Sequence, residues 1–471
     1  MKKSTSILLA LLLAVPSFAG DKAEKTSDAP VKEHLQNHFK FYGFVRNYFV
    51  FDSRDSKAGT ADLFYYLPLD NKWNTPDVDN PAREDLNASP NFRFLALTSR
   101  VGVDVGGYHM GNVHFGAKVE ADFYAGLTSL SSASGFSGNT KISGTAQLRL
   151  RQAYATIAWK DLPMGQDKKA SVGLKIGQAW HPMAADHPHL FSLEVGAPFG
   201  PFSRTPQVTM DANLGDNWVV SASAIWQMQY QSTGPDGASA IYMKYGCTPE
   251  MYAAVAYKSK GFLVRAGADL VSIKPRNIGQ NADGLTVHVK DRKTSLLYYA
   301  YAQYSYKKFS VKAKTTYGEG GEHMNLMSGY AVVDKSDPTD WKYASMRNSS
   351  SWLSFSYGKK WQGVLFLGYV KNFGLAQDLD APIAKGDVYF CSNGFSNINQ
   401  MYRINPQLIY NIGKLNVGIE YQWTSVQYGQ YDKVDDGKGG TYDALSARGL
   451  AAGGLHWVGN HRVNLLVKYN F

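Results

Sequence analysis

The sequence predicts an all-β protein: a transmembrane antiparallel β-barrel of sixteen strands with long extracellular loops. Short segments in which apolar and polar residues alternate recur along the chain, which is the pattern of strands with one apolar face. After residue 19, no segment contains the roughly 20 consecutive apolar residues of a membrane-spanning helix. The 30 Tyr, 23 Phe and 10 Trp are many for a soluble protein, whereas membrane barrels place such residues in girdles at both interfaces.

The N-terminus predicts a secretory signal peptide. Lys2 and Lys3 precede an apolar run over residues 7–15, and residues 17–19 (Ser-Phe-Ala) form a small-residue cleavage site. The apolar run is too short for a membrane helix. The predicted organisation is a signal peptide over residues 1–19, a short periplasmic segment over 20–38 and a barrel domain over 39–471.

The last eleven residues form the clearest strand. Residues 461–471 alternate between two faces up to the terminal Phe471, and about 10 residues of tilted strand cross a bilayer. A terminal aromatic on such a strand resembles the C-terminal signature of bacterial outer-membrane barrels. The resemblance implies a Gram-negative outer-membrane location, with lipid around the barrel and the barrel-assembly machinery as a partner through Phe471.

Turn signals separate the other strands. Residues 215–217 (Gly-Asp-Asn), for example, predict a tight hairpin. Tight turns on one side and long loops on the other match the periplasmic and extracellular ends of a barrel. The Ala- and Gly-rich residues 447–459 are assigned to the last loop, although two further strands there would make eighteen. The predicted strands cover residues 39–51, 91–106, 112–125, 145–160, 170–180, 204–214, 217–230, 249–258, 262–274, 294–306, 309–318, 350–359, 363–373, 400–411, 415–428 and 461–471.

Alternation also predicts which side chains face the lumen, which in a barrel of this size is filled with water. Arg or Lys on the lipid face near the midplane costs about 2–4 kcal/mol, so these residues are assigned to the interior. A wall with one dominant sign concentrates counter-ions, so an anion-preferring pore follows unless the charges pair across the lumen and cancel. The basic pore-lining residues are Arg46, Arg100, Lys118, Arg149, Arg151, Lys175, Arg204, Arg265, Lys312, Lys314 and Arg403, and the acidic ones are Glu120, Asp122, Asp269 and Glu420.

The third extracellular loop, residues 181–203, is rich in Phe and Pro and poor in charge. Because such a loop favours cover from water, we expect it to fold into the lumen and narrow the pore. The alternative is a surface loop packed on a neighbouring subunit. The residues assigned to this constriction loop are His181, Asp186, His187, His189, Phe199 and Phe202.

The two cysteines and the histidines of the third loop give no defined site. Cys247 and Cys391 fall near extracellular loops, where a disulfide persists, and both a bridge and two separate thiols stay open. Residues 181–189 include metal-ligand types, but Pro182 and Pro188 make their spacing irregular and no standard site matches. The sequence therefore predicts no metal and no cofactor.

Short motifs along the whole barrel region carry a family resemblance. They are F-Y-G-F-V at 41–45, G-Q-A-W at 177–180, G-P at 200–201, R-T-P-Q at 204–207, the hairpin 405–421 and K-Y-N-F at 468–471. Their order resembles the DcaP-like trimeric porins of Gram-negative outer membranes, and the first strand is similar in style to Bacteroidetes members. The family's type member carries a helical segment before its barrel, for which residues 20–38 leave little room.

The resemblance implies a homotrimer that passes small organic anions, dicarboxylates among them, through a basic constriction. By position, Arg149, Arg151 and Arg204 fall near that constriction. We therefore expect a passive diffusion channel for small hydrophilic solutes, without enzymatic activity.

Two alternatives to this function stay open. One is a sugar-selective channel, because aromatic rings stack on sugars and Tyr298, Tyr299, Tyr301, Tyr304 and Tyr306 supply rings on both faces of one strand. The other is a non-channel adhesin or enzyme. No Gly-x-Ser-x-Gly motif and no nucleic-acid motif occurs in the sequence, which favours neither catalysis nor a nucleic-acid partner.

Overall fold

The computed structural model describes residues 38–59, 65–75, 83–96, 98–125, 146–165, 168–192, 194–391, 395, 397–445 and 453–471. The predicted signal peptide lies outside the described residues, and so does the segment 20–38 except for His38. Within these ranges, no helix has the length and apolar character needed to span a membrane.

Sixteen antiparallel strands pair in chain order and close into a barrel, which confirms the predicted fold and strand number. The barrel closes where β1 residues Phe44 to Asp52 pair with β16 residues Asn470 to Arg462. The strands are β1 (Phe39–Asp52), β2 (Asn91–Leu95 and Arg100–Met110), β3 (Val113–Ala125), β4 (Ala146–Pro163), β5 (Lys169–Trp180), β6 (Arg204–Leu214), β7 (Trp218–Ile225), β8 (Glu250–Ser259), β9 (Phe262–Ile273), β10 (Lys293–Tyr306), β11 (Phe309–Glu319), β12 (Lys342–Gly358), β13 (Trp361–Leu375), β14 (Ile398–Ile412), β15 (Leu415–Gln430) and β16 (Gly453–Asn470).

The outer surface of the barrel is apolar, and aromatic side chains mark its lower rim. Exposed rings lie beside the tight turns that join consecutive strands, and such girdles mark the membrane interface of transmembrane barrels. Above this rim, strands such as β4 and β16 alternate exposed Leu or Val with buried Arg or Asn. The barrel therefore spans a membrane with a polar interior. The rim aromatics are Trp218, Tyr257, Phe262, Tyr306, Phe309, Tyr357, Trp361 and Tyr469.

Four strand boundaries differ from the prediction by four residues or more. β2 continues through an irregularity after Val105 to Met110 rather than ending at residue 106, and β7 ends at Ile225 rather than at residue 230. β12 begins at Lys342 and β16 at Gly453, eight residues earlier in each case than predicted. The first residues of β12 and β16 do not alternate between apolar and polar in the sequence, so the sequence gives no signal that they belong to strands.

Loops from the extracellular side fill much of the lumen. Loop 3, residues 181–203, enters it as predicted: Phe199 is fully buried, and the backbone N–H of His189 donates to Ser354 Oγ on β12 at 3.0 Å. Tyr66 of the first loop and the sixth-loop residues 322–327 are buried with it. Their apolar side chains pack in one cluster with inward-facing residues of β8 to β16. One side of the lumen is thus filled, and the other is not.

Candidate functional site

Loop 3 is held against the filled side by cations that alternation places inside the barrel. Lys314 donates to the carbonyl oxygens of Met183 at 2.7 Å and Asp186 at 2.9 Å. Lys312 donates to the carbonyl oxygen of His187 at 3.1 Å. Arg265 on β9 forms an ion pair with the Asp186 carboxylate. These three cations, which the sequence predicts to line the pore, therefore bind oxygen atoms of loop 3 and hold the loop in position.

A second anchor holds the far end of loop 3. Arg403 on β14 is fully buried and donates to Thr424 Oγ1 at 2.9 Å and to the carbonyl oxygen of Tyr66. It lies 3.5 Å from Glu194 of loop 3, and Gln422 also donates to that carboxylate, at 3.0 Å. A lone Glu in an apolar loop requires such partners when it is buried. Glu194 is not among the residues selected from the sequence. The signal that could have indicated it is that it is the one Glu in a loop poor in charge.

The two predicted loop-3 phenylalanines pack in the buried apolar cluster, and Phe202 also borders the cavity described below. Phe199 packs edge-on against Phe366 of β13, with ring centres 6.1 Å apart. Gly368 makes room for it, since a Cβ atom at that position would lie 2.5 Å from the Phe199 ring. Phe202 packs against Trp180 at 5.3 Å.

A cavity of about 500 Å³ separates loop 3 from the opposite wall. The wall is built mainly from β1 to β6 and β16, with further residues from β13 to β15, and loop 3 contributes residues 187–192, Val195 and Phe202. Among the described residues, six cationic side chains and a single carboxylate, that of Asp122, line this space. The cations are Arg46, Arg100, Arg149, Arg151, Arg204 and Lys468.

Two carboxylates neutralise part of this charge. Arg149 makes a bidentate pair with Asp122, with both distances 2.9 Å. Arg151 donates to Glu120 at 2.9 Å and to Asp122 at 2.7 Å, and Arg100 lies 3.6 Å from Glu120. Because paired hydrogen bonds fix the guanidinium plane, these bonds hold Arg149 and Arg151 rigidly on the wall, whereas Arg100 makes only the longer ion pair with Glu120. Three guanidiniums share two carboxylates, so a positive excess remains.

The other three cations have no carboxylate partner in the described part of the chain. Arg46 donates from Nε to Thr98 Oγ1 at 3.2 Å and stacks near Phe44. Arg204 lies over the ring of Trp180 at 4.8 Å, and its Nη1 is buried without a hydrogen-bond partner among the residues that the structure describes. Lys468 lies 5.4 Å from the Phe44 ring. A buried N–H group without a partner costs free energy, so this Arg204 nitrogen has an unused capacity to donate a hydrogen bond into the cavity.

Two of the loop-3 histidines, His187 and His189, face this space as neutral groups. Burial and the charges of Lys314 and Lys312 lower the pKa of His187 to about 3. Burial and Lys312 lower the pKa of His189 to about 4. Both imidazoles are therefore uncharged at neutral pH, and loop 3 adds no charge of its own to the cavity.

Four further predicted lumen residues lie inside the barrel but away from this cavity. Lys118 pairs with Asp104 at 2.7 Å, and Lys175 lies 5.5 Å from the ring of Tyr154. Glu420 is buried and accepts from Asn464 at 2.8 Å. Asp269 joins a separate buried group with His181, Glu250 and His323.

The cysteines are not bonded to one another, so the disulfide considered for them is absent. Cys247 is exposed after a short helix, Ile241–Gly246, in the fourth loop. Cys391 is buried in the apolar cluster, with its Sγ 3.8 Å from Asn325 Oδ1. The Cys247 thiol is thus exposed to solvent, whereas the Cys391 thiol is buried under the loops.

The tyrosines of β10 divide as alternation predicts, and none lines the cavity. Tyr298, Tyr304 and Tyr306 are exposed on the outer face. Tyr299 and Tyr301 are buried in the apolar cluster, where Tyr299 shares a 2.5 Å hydrogen bond with Tyr252.

Comparison with known proteins identifies the fold. The outer membrane channel DcaP of Acinetobacter baumannii matches with a TM-score of 0.56 and 17% identity, over 92% of this chain and 97% of that one. The anion-selective porin of Comamonas acidovorans gives 0.47 and 10%, over 92% and 99%. OmpT of Vibrio cholerae gives 0.47 and 11%, over 92% and 97%. No protein-family model and no curated protein matches the sequence. The resemblance to DcaP-like porins is thus confirmed at the level of the fold.

Proposed function

We propose that this chain is a DcaP-like porin of a Gram-negative outer membrane. It acts as a passive diffusion channel for small hydrophilic solutes and prefers anions such as dicarboxylates. The observation that carries the proposal is the cavity beside loop 3, where six cationic side chains meet one carboxylate.

The charge arrangement supports an anion preference in two ways. The barrel wall has a low dielectric constant and focuses the field of the excess cations into the cavity, which concentrates anions there. Arg46, Arg204 and Lys468 offer charge without a competing carboxylate. A solute with two carboxylates can contact more than one of these groups, whereas a monovalent anion meets them singly.

The alternatives have less support. The β10 tyrosines that suggested a sugar channel face lipid or the apolar cluster. Aromatic residues do line the cavity, but two of them, Phe44 and Trp180, lie against the arginines Arg46 and Arg204. An enzyme needs a nucleophile and a base in contact. Ser192 is the serine that lines the cavity among the described residues, and its buried hydroxyl has no hydrogen-bond partner among them.

A homotrimer is part of the proposal. The outward faces of β6 to β10 form a shallow apolar groove of small and medium side chains, among them Ala222, Ala253 and Ala268. Small residues permit close approach of a second barrel. The remaining outer surface contacts lipid, and the exposed Phe471 at the end of β16 is available to the barrel-assembly machinery before insertion.

Solute flux into proteoliposomes tests this function. The purified protein is reconstituted, and swelling is compared for a small dicarboxylate and a neutral sugar of similar size. The dicarboxylate should enter several times faster. Faster entry of the sugar, or of maltose oligomers, would favour the sugar-selective alternative.

A further inference from the structure

Four buried polar side chains converge behind loop 3, away from the solute cavity. His181 is the first residue of loop 3, Glu250 begins β8, Asp269 lies on β9, and His323 belongs to the sixth loop. All four are at most 2% exposed. One donor atom from each lies within 4.8 Å of the other three.

Hydrogen bonds leave this group largely unsatisfied. His181 Nε2 lies 2.5 Å from Glu250 Oε1. In the described part of the chain, however, the second oxygen of Glu250, both oxygens of Asp269 and both nitrogens of His323 have no hydrogen-bond partner. Native proteins rarely bury so many lone pairs and N–H groups in one place without a partner. The arrangement therefore points to a ligand that accepts several lone pairs at once.

We propose that His181, Glu250, Asp269 and His323 form a binding site for a divalent transition-metal ion, with Zn²⁺ as the preferred occupant. Two imidazoles and two carboxylates are ligands that zinc binds tetrahedrally at about 2.0–2.2 Å, which places ligand atoms about 3.4 Å apart. Three observed separations are close to that value. They are 3.2 Å for His323 Nε2 to Glu250 Oε1, 3.6 Å for His323 Nε2 to Asp269 Oδ2 and 3.7 Å for His181 Nε2 to Asp269 Oδ1, so each imidazole is nearest to a different oxygen of Asp269.

Charge and connectivity agree with a structural metal. Two carboxylates balance a doubly charged ion, so the buried site is neutral when the ion is bound. The ligands come from loop 3, loop 6 and two neighbouring strands, so the ion ties both lumen-filling loops to the barrel wall. With four protein ligands the site is closed, as in structural zinc centres.

One contact has to change when the metal binds. The backbone N–H of Met183 donates to His181 Nδ1 at 3.1 Å. A neutral imidazole that binds metal through Nε2 carries its proton on Nδ1 and can no longer accept there. The backbone N–H of Met183 must then find another acceptor. The contact of His181 with Glu250 must also open from 2.5 Å. The competing arrangement without metal is a proton-bound cluster in which a cationic imidazole lies between the carboxylates.

Metal analysis of the purified full-length protein distinguishes these arrangements. After treatment with a chelator and dialysis, zinc is added, excess is removed, and zinc per chain is measured by mass spectrometry. We expect one zinc ion per chain and a higher midpoint of thermal unfolding, because a ligand that binds only the folded state stabilises it. Co²⁺ in place of zinc should give the visible absorption of a tetrahedral centre.

Matched variants locate the ion. His323→Gln and Glu250→Gln should abolish zinc binding and the thermal shift, whereas His187→Gln, another loop-3 histidine, should retain both. Two substitutions with similar volume guard against loss of folding, which circular dichroism checks. Absence of zinc in the wild-type protein, or equal zinc in His323→Gln and wild type, would overturn the proposal and favour the proton-bound cluster.

Discussion

The two sides of the lumen carry the same kinds of cation and use them differently. On the filled side, Lys312, Lys314 and Arg265 bond to backbone oxygens or the carboxylate of loop 3. On the open side, Arg46 and Arg204 face the cavity without a carboxylate partner in the described structure. Position on an inward face therefore does not make a base a pore residue. What decides is whether loop 3 covers it.

The largest expected effect comes from Arg149 and Arg151 on the open side. Replacing both with Gln removes two positive charges and leaves Asp122 and Glu120 with fewer partners. At about 1 kcal/mol per charge, or about 2 kcal/mol for both, the ratio of anion to cation permeability should fall about thirtyfold. Reversal potentials in a salt gradient measure it. An unchanged ratio would mean that these arginines only brace the wall.

Arg204→Met should have a smaller effect of the same sign. Nη1 of the buried guanidinium has no partner in the described ranges, and the group lies over Trp180. Its loss therefore removes one anion contact without depriving a carboxylate of a partner. We expect dicarboxylate uptake to fall about threefold, which corresponds to roughly 0.6 kcal/mol, with little change for a neutral sugar. Arg292→Met on the exposed fifth loop is the control. Equal loss for both solutes would indicate a collapsed pore.

Lys314→Met tests the filled side. Two loop-3 carbonyl groups lose their donor, at a cost of about 1–3 kcal/mol if they stay buried. Loop 3 should become more accessible to protease and single-channel currents noisier, while ion selectivity stays close to that of the wild type. A selectivity change as large as that of Arg204→Met would show that the two sides are not distinct.

The smallest expected effect is that of pH. Lowered pKa values, about 3 for His187 and about 4 for His189, mean that both lose their proton well below pH 5. The charge of loop 3 toward the cavity therefore stays constant between pH 5 and pH 8, and so should the reversal potential. A transition near pH 6.5 that disappears in His187→Gln would contradict this assignment.

The barrel was predictable because strand alternation is a local signal. Each of the sixteen strands repeats every two residues wherever one face meets lipid, as in Leu148 and Leu150 beside Arg149 and Arg151. The signal fails where that contrast ends. The upper part of β12 buries Ala344 and Met346 beneath loops rather than facing lipid, and the start of β16 is rich in glycine, so both were assigned to loops.

The site was only partly predictable, because its function depends on contacts between distant segments. Composition predicted that loop 3 enters the lumen, and alternation placed the bases inside. Nothing local distinguishes Lys314 from Arg204, since the difference lies in which wall loop 3 packs against. The same holds for His181, whose spacing to its neighbours in loop 3 matched no metal site, whereas its partners Glu250, Asp269 and His323 come from three other segments.

The reversal potential of the wild-type protein tests the central claim most directly. The claim is that the open, basic side of the lumen makes this barrel an anion-preferring channel. With potassium chloride more concentrated on one side of a planar bilayer, the zero-current voltage should have the sign of a chloride-selective pore. A zero-current voltage with the sign of a potassium-selective pore would contradict it.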